Sequence, residues 1–165
     1  MQVPAETDVA ALLDRLVEAE LPGRRGLEAW RSLLQAHASL MRRLESDLEE
    51  TGVALADFDV LAQLAAAGGS LRMTELAARA LISRSGMTRR VARLVRERLV
   101  RTAKDDVDAR GVVVRITAAG LRRLKATVPV HVRGISTLFV EQLDDQELEV
   151  LECALNKVTL DCSFG

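Results

Sequence analysis

The stretch MTELAARALISRSGMTRRVARLVRERLVRTAKDDVDARGVVVRITAAG, Met73–Gly120, decides how the rest of the chain is read. Its first half predicts a short helix from Thr74 to Ala80, a tight turn at Leu81 and Ile82, and a second helix from Arg84 to about Arg98. Ser83 stands where an N-cap is needed, because its hydroxyl can accept from an orphan backbone N–H of the first turn. Met87, Val91, Leu94 and Val95 share the inner face of the second helix; Ser85, Arg89, Arg93 and Arg96 lie opposite, with Thr88 and Arg90 at the margins. Two β-branched runs follow, Leu99–Ala103 and Val112–Ile116, and the polar Lys104–Gly111 between them predicts a hairpin with a long tip. Two capped helices and a hairpin in this order make a winged helix-turn-helix, whose second helix can enter a major groove.

The outward face of that helix has the chemistry of a duplex reader. Arginines such as Arg89 and Arg93 can bond guanine O6 and N7 or phosphates, while Ser85 and Thr88 can reach base edges or phosphates. With Ser83 and Arg84 at the helix start, these six are the expected DNA-binding residues of the helix. At the hairpin tip, Arg110 can enter a minor groove or meet phosphate, with Asp108 holding it through a charge-assisted bond. An arginine-rich face taken alone is more often a solvated surface; the hairpin behind it and the distribution of charge favour nucleic acid.

The 165 residues carry a net charge of −1, which hides that distribution. Arg72–Arg115 has twelve basic and five acidic residues, a charge of +7, and the remainder of the chain is −8. A basic middle between acidic ends is the pattern of a chain in which one part meets phosphates. With 48% apolar and 28% charged residues the chain is globular, and aromatics at 2% exclude readers that stack bases on aromatic platforms. No apolar run approaches the ~20 residues of a membrane span, and nothing resembles a secretory signal, so a cytoplasmic location without membrane partner is expected.

Helical seams flank the basic module. Val9–Val17 predicts a short N-terminal helix, broken at Pro22, Gly23 and Gly26; Trp30, Leu33, Leu34, His37, Leu40, Met41, Leu44 and Leu48 then mark a long amphipathic helix. A further helix is expected over Asp57–Ala67, where Asp57 can act as its cap. Thr117 caps another that runs to Phe139, with a kink or break at Pro129, where an interior proline costs about 3 kcal/mol. Asp144 and Glu147 form a capping box before the seam Leu148, Leu151, Leu155 and Val158. The fold class is therefore mainly α with a small β-hairpin wing.

Catalysis has no candidate constellation: there is no phosphate loop, nucleophile elbow or zinc-hydrolase helix, and no metal or cofactor is expected. Cys153 and Cys162 are too far apart for a Cys-x-x-Cys pair, and a buried or incidental role is favoured over thiol sensing. His37 and His131 read as packed residues before they read as ligands.

Met73–Gly120 resembles the MarR family of bacterial transcription regulators, in its helix-turn-helix, its D-x-x-D-R-R wing and the L-T-x-x-G that opens the next helix. The resemblance extends over about Leu27–Val158. It implies long dimerisation helices at 27–55 and 118–160 around a DNA-binding domain at 56–117, with 1–26 as an extension. It also implies a homodimer on a palindromic operator, most often a repressor released by a small phenolic or anionic effector. Ala109 replaces the first arginine of the usual wing pair, which implies weaker minor-groove anchoring. The extension and Trp30 are similar to a urate-responsive branch in which a Trp, an Asp and an Arg hold the ligand. On that resemblance the effector residues are Trp30, Asp57 or Asp59, and Arg90 or Arg93, with His37 beside the cleft. Two other functions compete: a helical interaction module binding acidic partners or DNA without selectivity, and a thiol-based sensor of the same fold.

Overall fold

The structure, a computed structural model, describes residue 15 and residues 24–105 and 111–160. The chain divides into two compact units, Met1–Arg42 and Arg43–Gly165. The first holds most of helix α1 (Arg24–Glu49), on which Trp30, Leu33, Leu34 and Met41 are exposed. Trp30, on the seam of that helix, is 55% exposed. Gly26 lies inside α1: one glycine costs about 1 kcal/mol relative to alanine, too little to stop a helix whose following residues propagate it well. The helix expected over Val9–Val17 and the turn at Pro22 and Gly23 fall outside the described residues, except Arg15, which is helical.

The second unit continues with α2 (Leu55–Ala66), β1 (Ser70–Arg72), α3 (Met73–Arg79), α4 (Arg84–Arg96), β2 (Val100–Lys104), β3 (Val112–Ile116) and α5 (Ala118–Leu138). A 3-10 turn at Val140–Gln142 and α6 (Asp145–Leu160) follow. The hairpin is as expected, but a third strand joins it: the sheet is antiparallel with order β1-β3-β2, and Leu71 lies opposite Val114. β1 escapes a pattern reading because three residues cannot establish alternation. It is set up by Gly68 and Gly69, both at positive φ, after which Gly69 accepts from the Ile116 amide at 2.9 Å.

One core joins the helices to this sheet. Leu48, Phe58, Leu61, Leu64, Leu76, Met87, Val91, Leu94, Val100, Val114 and Leu124 are buried together, each full burial stabilising by roughly 1.5–3 kcal/mol. Val95, expected on the inner face, is instead exposed.

The start of α5 is fixed against β2 by two residues. Thr117 Oγ1 donates toward the carbonyls of Arg98 and Leu99 and accepts from the Gly120 amide at 3.0 Å, as its cap position predicts. A Cβ on Gly120 would stand 2.2 Å from the Leu99 carbonyl oxygen, so the L-T-x-x-G pattern encodes a close backbone approach. Pro129 does not break α5, which runs unbroken from Ala118 to Leu138. Leu124 is in the core and Val130 packs against it, so burial on both sides of the proline outweighs the lost hydrogen bond. The capping box of α6 is present, with the Asp144 amide donating to Glu147 Oε2 at 3.0 Å and the Glu147 amide to Asp144 Oδ1 at 2.8 Å.

His131 of α5 packs on Phe58 of α2, ring centroids 4.4 Å apart, and its buried Nδ1 has no hydrogen-bond partner among the described residues. Burial lowers its pKa below 6.5, against the opposing pull of the Asp59 carboxylate. The unfolded chain therefore takes up a proton near pH 6.5 that the folded protein accepts only at lower pH, so stability falls as pH drops through that window. His131→Gln is expected to flatten the decline in denaturant-unfolding stability between about pH 7 and pH 5; an unchanged slope would place the titration elsewhere.

Candidate nucleic-acid interface

α3 and α4 are joined by a turn that the backbone makes explicit. The Ile82 amide reaches the Ala77 carbonyl at 3.0 Å and the Leu81 amide reaches Ala78 at 3.2 Å, a Schellman closure of α3. Leu81 takes φ +53°, where glycine is usual, and is 91% exposed. Ser83 then caps α4, its hydroxyl accepting from the Gly86 amide at 3.2 Å. Gly86 is small of necessity, since a Cβ there would lie 2.9 Å from Ile82 Cγ2 and 3.0 Å from the cap hydroxyl.

With Met87, Val91 and Leu94 buried, α4 presents Arg84, Ser85, Thr88, Arg89, Arg93 and Arg96 outward. The Arg89 side chain makes no hydrogen bond or ion pair among the described residues, leaving its five donors for a ligand. Thr88 Oγ1 donates to the Arg84 carbonyl at 2.9 Å, which leaves its lone pairs to accept.

Arg93 is differently placed. It is ion-paired to Asp57, with Glu97 a second partner 3.3 Å from its Nε. Asp57 is not the cap of α2, a position held by Ala54; it lies in the first turn, 2% exposed, and also accepts from Arg90 Nη1 at 2.8 Å. One buried carboxylate of α2 thus ties down two arginines of α4, Arg90 at 28% and Arg93 at 46% side-chain exposure.

The strands β2 and β3 close at the Asp105 amide, which donates to the Gly111 carbonyl at 3.0 Å. Asp108, Ala109 and Arg110 lie outside the described residues. Two features of the hairpin were missed in the sequence because they depend on register. Arg101 and Arg115 stand directly opposite each other at exposed positions, a like-charge pair that weakens the ladder and that an anion between them would relieve. Asp105, read as part of the polar tip, is buried, its Oδ2 2.6 Å from Arg72 Nε.

Of the expected effector residues, Asp57 and Arg90 meet, while Trp30 and His37 are exposed on α1 in the other compact unit. Cys153 is exposed on α6 rather than buried, and Cys162 is outside the described residues. Among the described residues no group of three His, Cys, Asp or Glu side chains is placed to hold a metal, and no helix is long and apolar enough to cross a membrane.

Residues 51–111 match the sequence model of the MarR family. No curated protein matches the full sequence. Among solved structures the chain is similar to AbsC, a MarR family transcriptional regulator from Streptomyces coelicolor, with 27% identity over 86% of this chain and 97% of that one and a TM-score of 0.81. It is equally similar to Sco3205, a MarR family regulator of the same organism solved in complex with DNA: 28% identity, 88% and 94% coverage, TM-score 0.81. MarR from E. coli shares 25% identity over 78% of this chain and 93% of its own, with a TM-score of 0.64. With its helix-turn-helix and three-stranded wing sheet, the chain has the winged helix-turn-helix fold of these MarR family regulators, and the match to that family's model falls on the module that carries it.

Proposed function

We propose that the protein is a cytoplasmic, sequence-specific double-stranded DNA-binding regulator of transcription, acting as a homodimeric repressor on a palindromic operator. The observation that carries this is the outward face of α4, where Arg84, Ser85, Thr88 and an unpartnered Arg89 stand together on a capped helix. Arg101 and Arg115 add a basic site on the hairpin for phosphates. Asp108 and Arg110 extend this reading to the minor groove. A dimer brings two such modules about one helical turn apart, ~34 Å. Residues 27–55 and 118–160 supply the pairing surface, in keeping with the exposed Leu33, Leu34, Met41, Val128, Val132, Val150 and Val158, while residues 1–26 are an N-terminal extension.

The effector reading rests on Asp57. A small anionic ligand competing for Arg90 and Arg93 would loosen α4 from α2 and lower DNA affinity. Operator DNA would then weaken the ligand reciprocally.

Arg89→Ala separates selective reading from general attraction. It is expected to cost about 1–3 kcal/mol on the preferred duplex and distinctly less on a scrambled one, read by fluorescence anisotropy. Equal losses on both, mimicked by added salt, would favour the helical interaction module instead.

A further inference from the structure

We infer that Arg72 is a positioning residue: through its ion pair with Asp105 it fixes the root of the wing to the start of the helix-turn-helix. Three observations converge on this one side chain. Its backbone belongs to β1, opposite Val113 of β3, the strand by which the hairpin returns. It is also the N-cap residue of α3, where its amide donates to Glu75 Oε2 at 3.3 Å. Its guanidinium Nε lies 2.6 Å from Oδ2 of Asp105, the last described residue before the hairpin tip, whose own amide pairs with Gly111 across the hairpin.

The pair is asymmetric in exposure, 44% for the Arg72 side chain and 7% for Asp105. A carboxylate so withdrawn from water needs a charged partner, and the Arg72 guanidinium is one. Beyond the Arg72–Val113 pair the sheet is left with two strands, and a two-stranded end twists readily. Holding that end to the first turn of α3 sets its angle to α4, because α3 and α4 share the buried Leu76, Met87 and Leu94. The wing and the reading helix are then presented to a duplex as one rigid surface.

This inference rests on the DNA-binding reading, and its sign distinguishes it from simple electrostatics. Removing an acid beside a DNA-binding surface ordinarily strengthens attraction to a polyanion. Asp105→Asn is expected to do the reverse, weakening the preferred duplex about tenfold, and Arg72→Gln to do the same with an unchanged salt slope. The double variant should lose no more than either single one. In the free protein, hydrogen exchange at the Asp105 amide and along β2 and β3 should accelerate in both variants while the amides of α4 stay protected.

Tighter DNA binding by Asp105→Asn, or a salt slope lowered by one unit in Arg72→Gln, would overturn the inference and make Arg72 a phosphate contact. Unchanged exchange along β2 and β3 would overturn it independently of DNA. Should the unaltered protein bind no duplex selectively, the DNA-binding reading fails while the exchange data still decide the clamp.

Discussion

Asp57→Ala is expected to destabilise the protein by about 3 kcal/mol in denaturant unfolding, a large fraction of the stability of a domain this size. The carboxylate is 2% exposed and serves two arginines of α4, so its removal strips Arg90 of its acceptor and leaves Arg93 with Glu97 alone. Arg90 and Arg93 retain part of their access to water, which keeps the loss below the roughly 5 kcal/mol seen for fully enclosed pairs. Asp57→Asn should fall between, keeping shape and one acceptor but not charge.

A control separates charge from packing. Asp57→Leu combined with Arg90→Leu should recover much of the stability, since apolar pairs often replace buried ion pairs at little net cost. Arg93 would then be released toward solvent, and the double variant is expected to bind non-selective DNA more tightly than the unaltered protein. A loss below about 1 kcal/mol for Asp57→Ala would mean that Asp57 does not hold α4 to α2.

The parts of the fold with a strong local cause were legible in the sequence. Ser83, Thr117 and the Asp144–Glu147 pair each cap the helix their positions announced, because a cap depends only on residues within one turn. The inner face of α4 and the hairpin strands followed from periodicity, except at Val95, which is exposed. Pro129 shows the limit of local reasoning: its cost is intrinsic, but the burial that outweighs it is tertiary.

The site was legible in part. The outward residues of α4 could be named from helical geometry. That Arg93 is engaged and Arg89 is not could not, because Asp57 lies 36 residues from Arg93 and meets it only once α2 and α4 pack. Asp105 was placed in a solvated tip on its polarity alone; its burial follows from β1, the short strand that no pattern revealed. Likewise the opposition of Arg101 and Arg115 is a property of register, which pairs residues that sequence separates.

The largest effect expected of this protein is selectivity among duplexes. With a net charge of −1 over the whole chain, attraction to DNA comes from the local basic surface of α4 and the hairpin rather than from the overall charge. That surface combines arginine forks with hydroxyls able to read base edges, and the proposed homodimer would present it twice and multiply the discrimination. The direct measurement is a salt-titrated equilibrium binding curve on duplex DNA from the region beside the protein's own gene, against a scrambled duplex of equal composition. Binding to the first is expected to be about 1,000-fold tighter or more at physiological salt, a ratio that persists as salt is raised. Equal affinities that fall together with salt would contradict it.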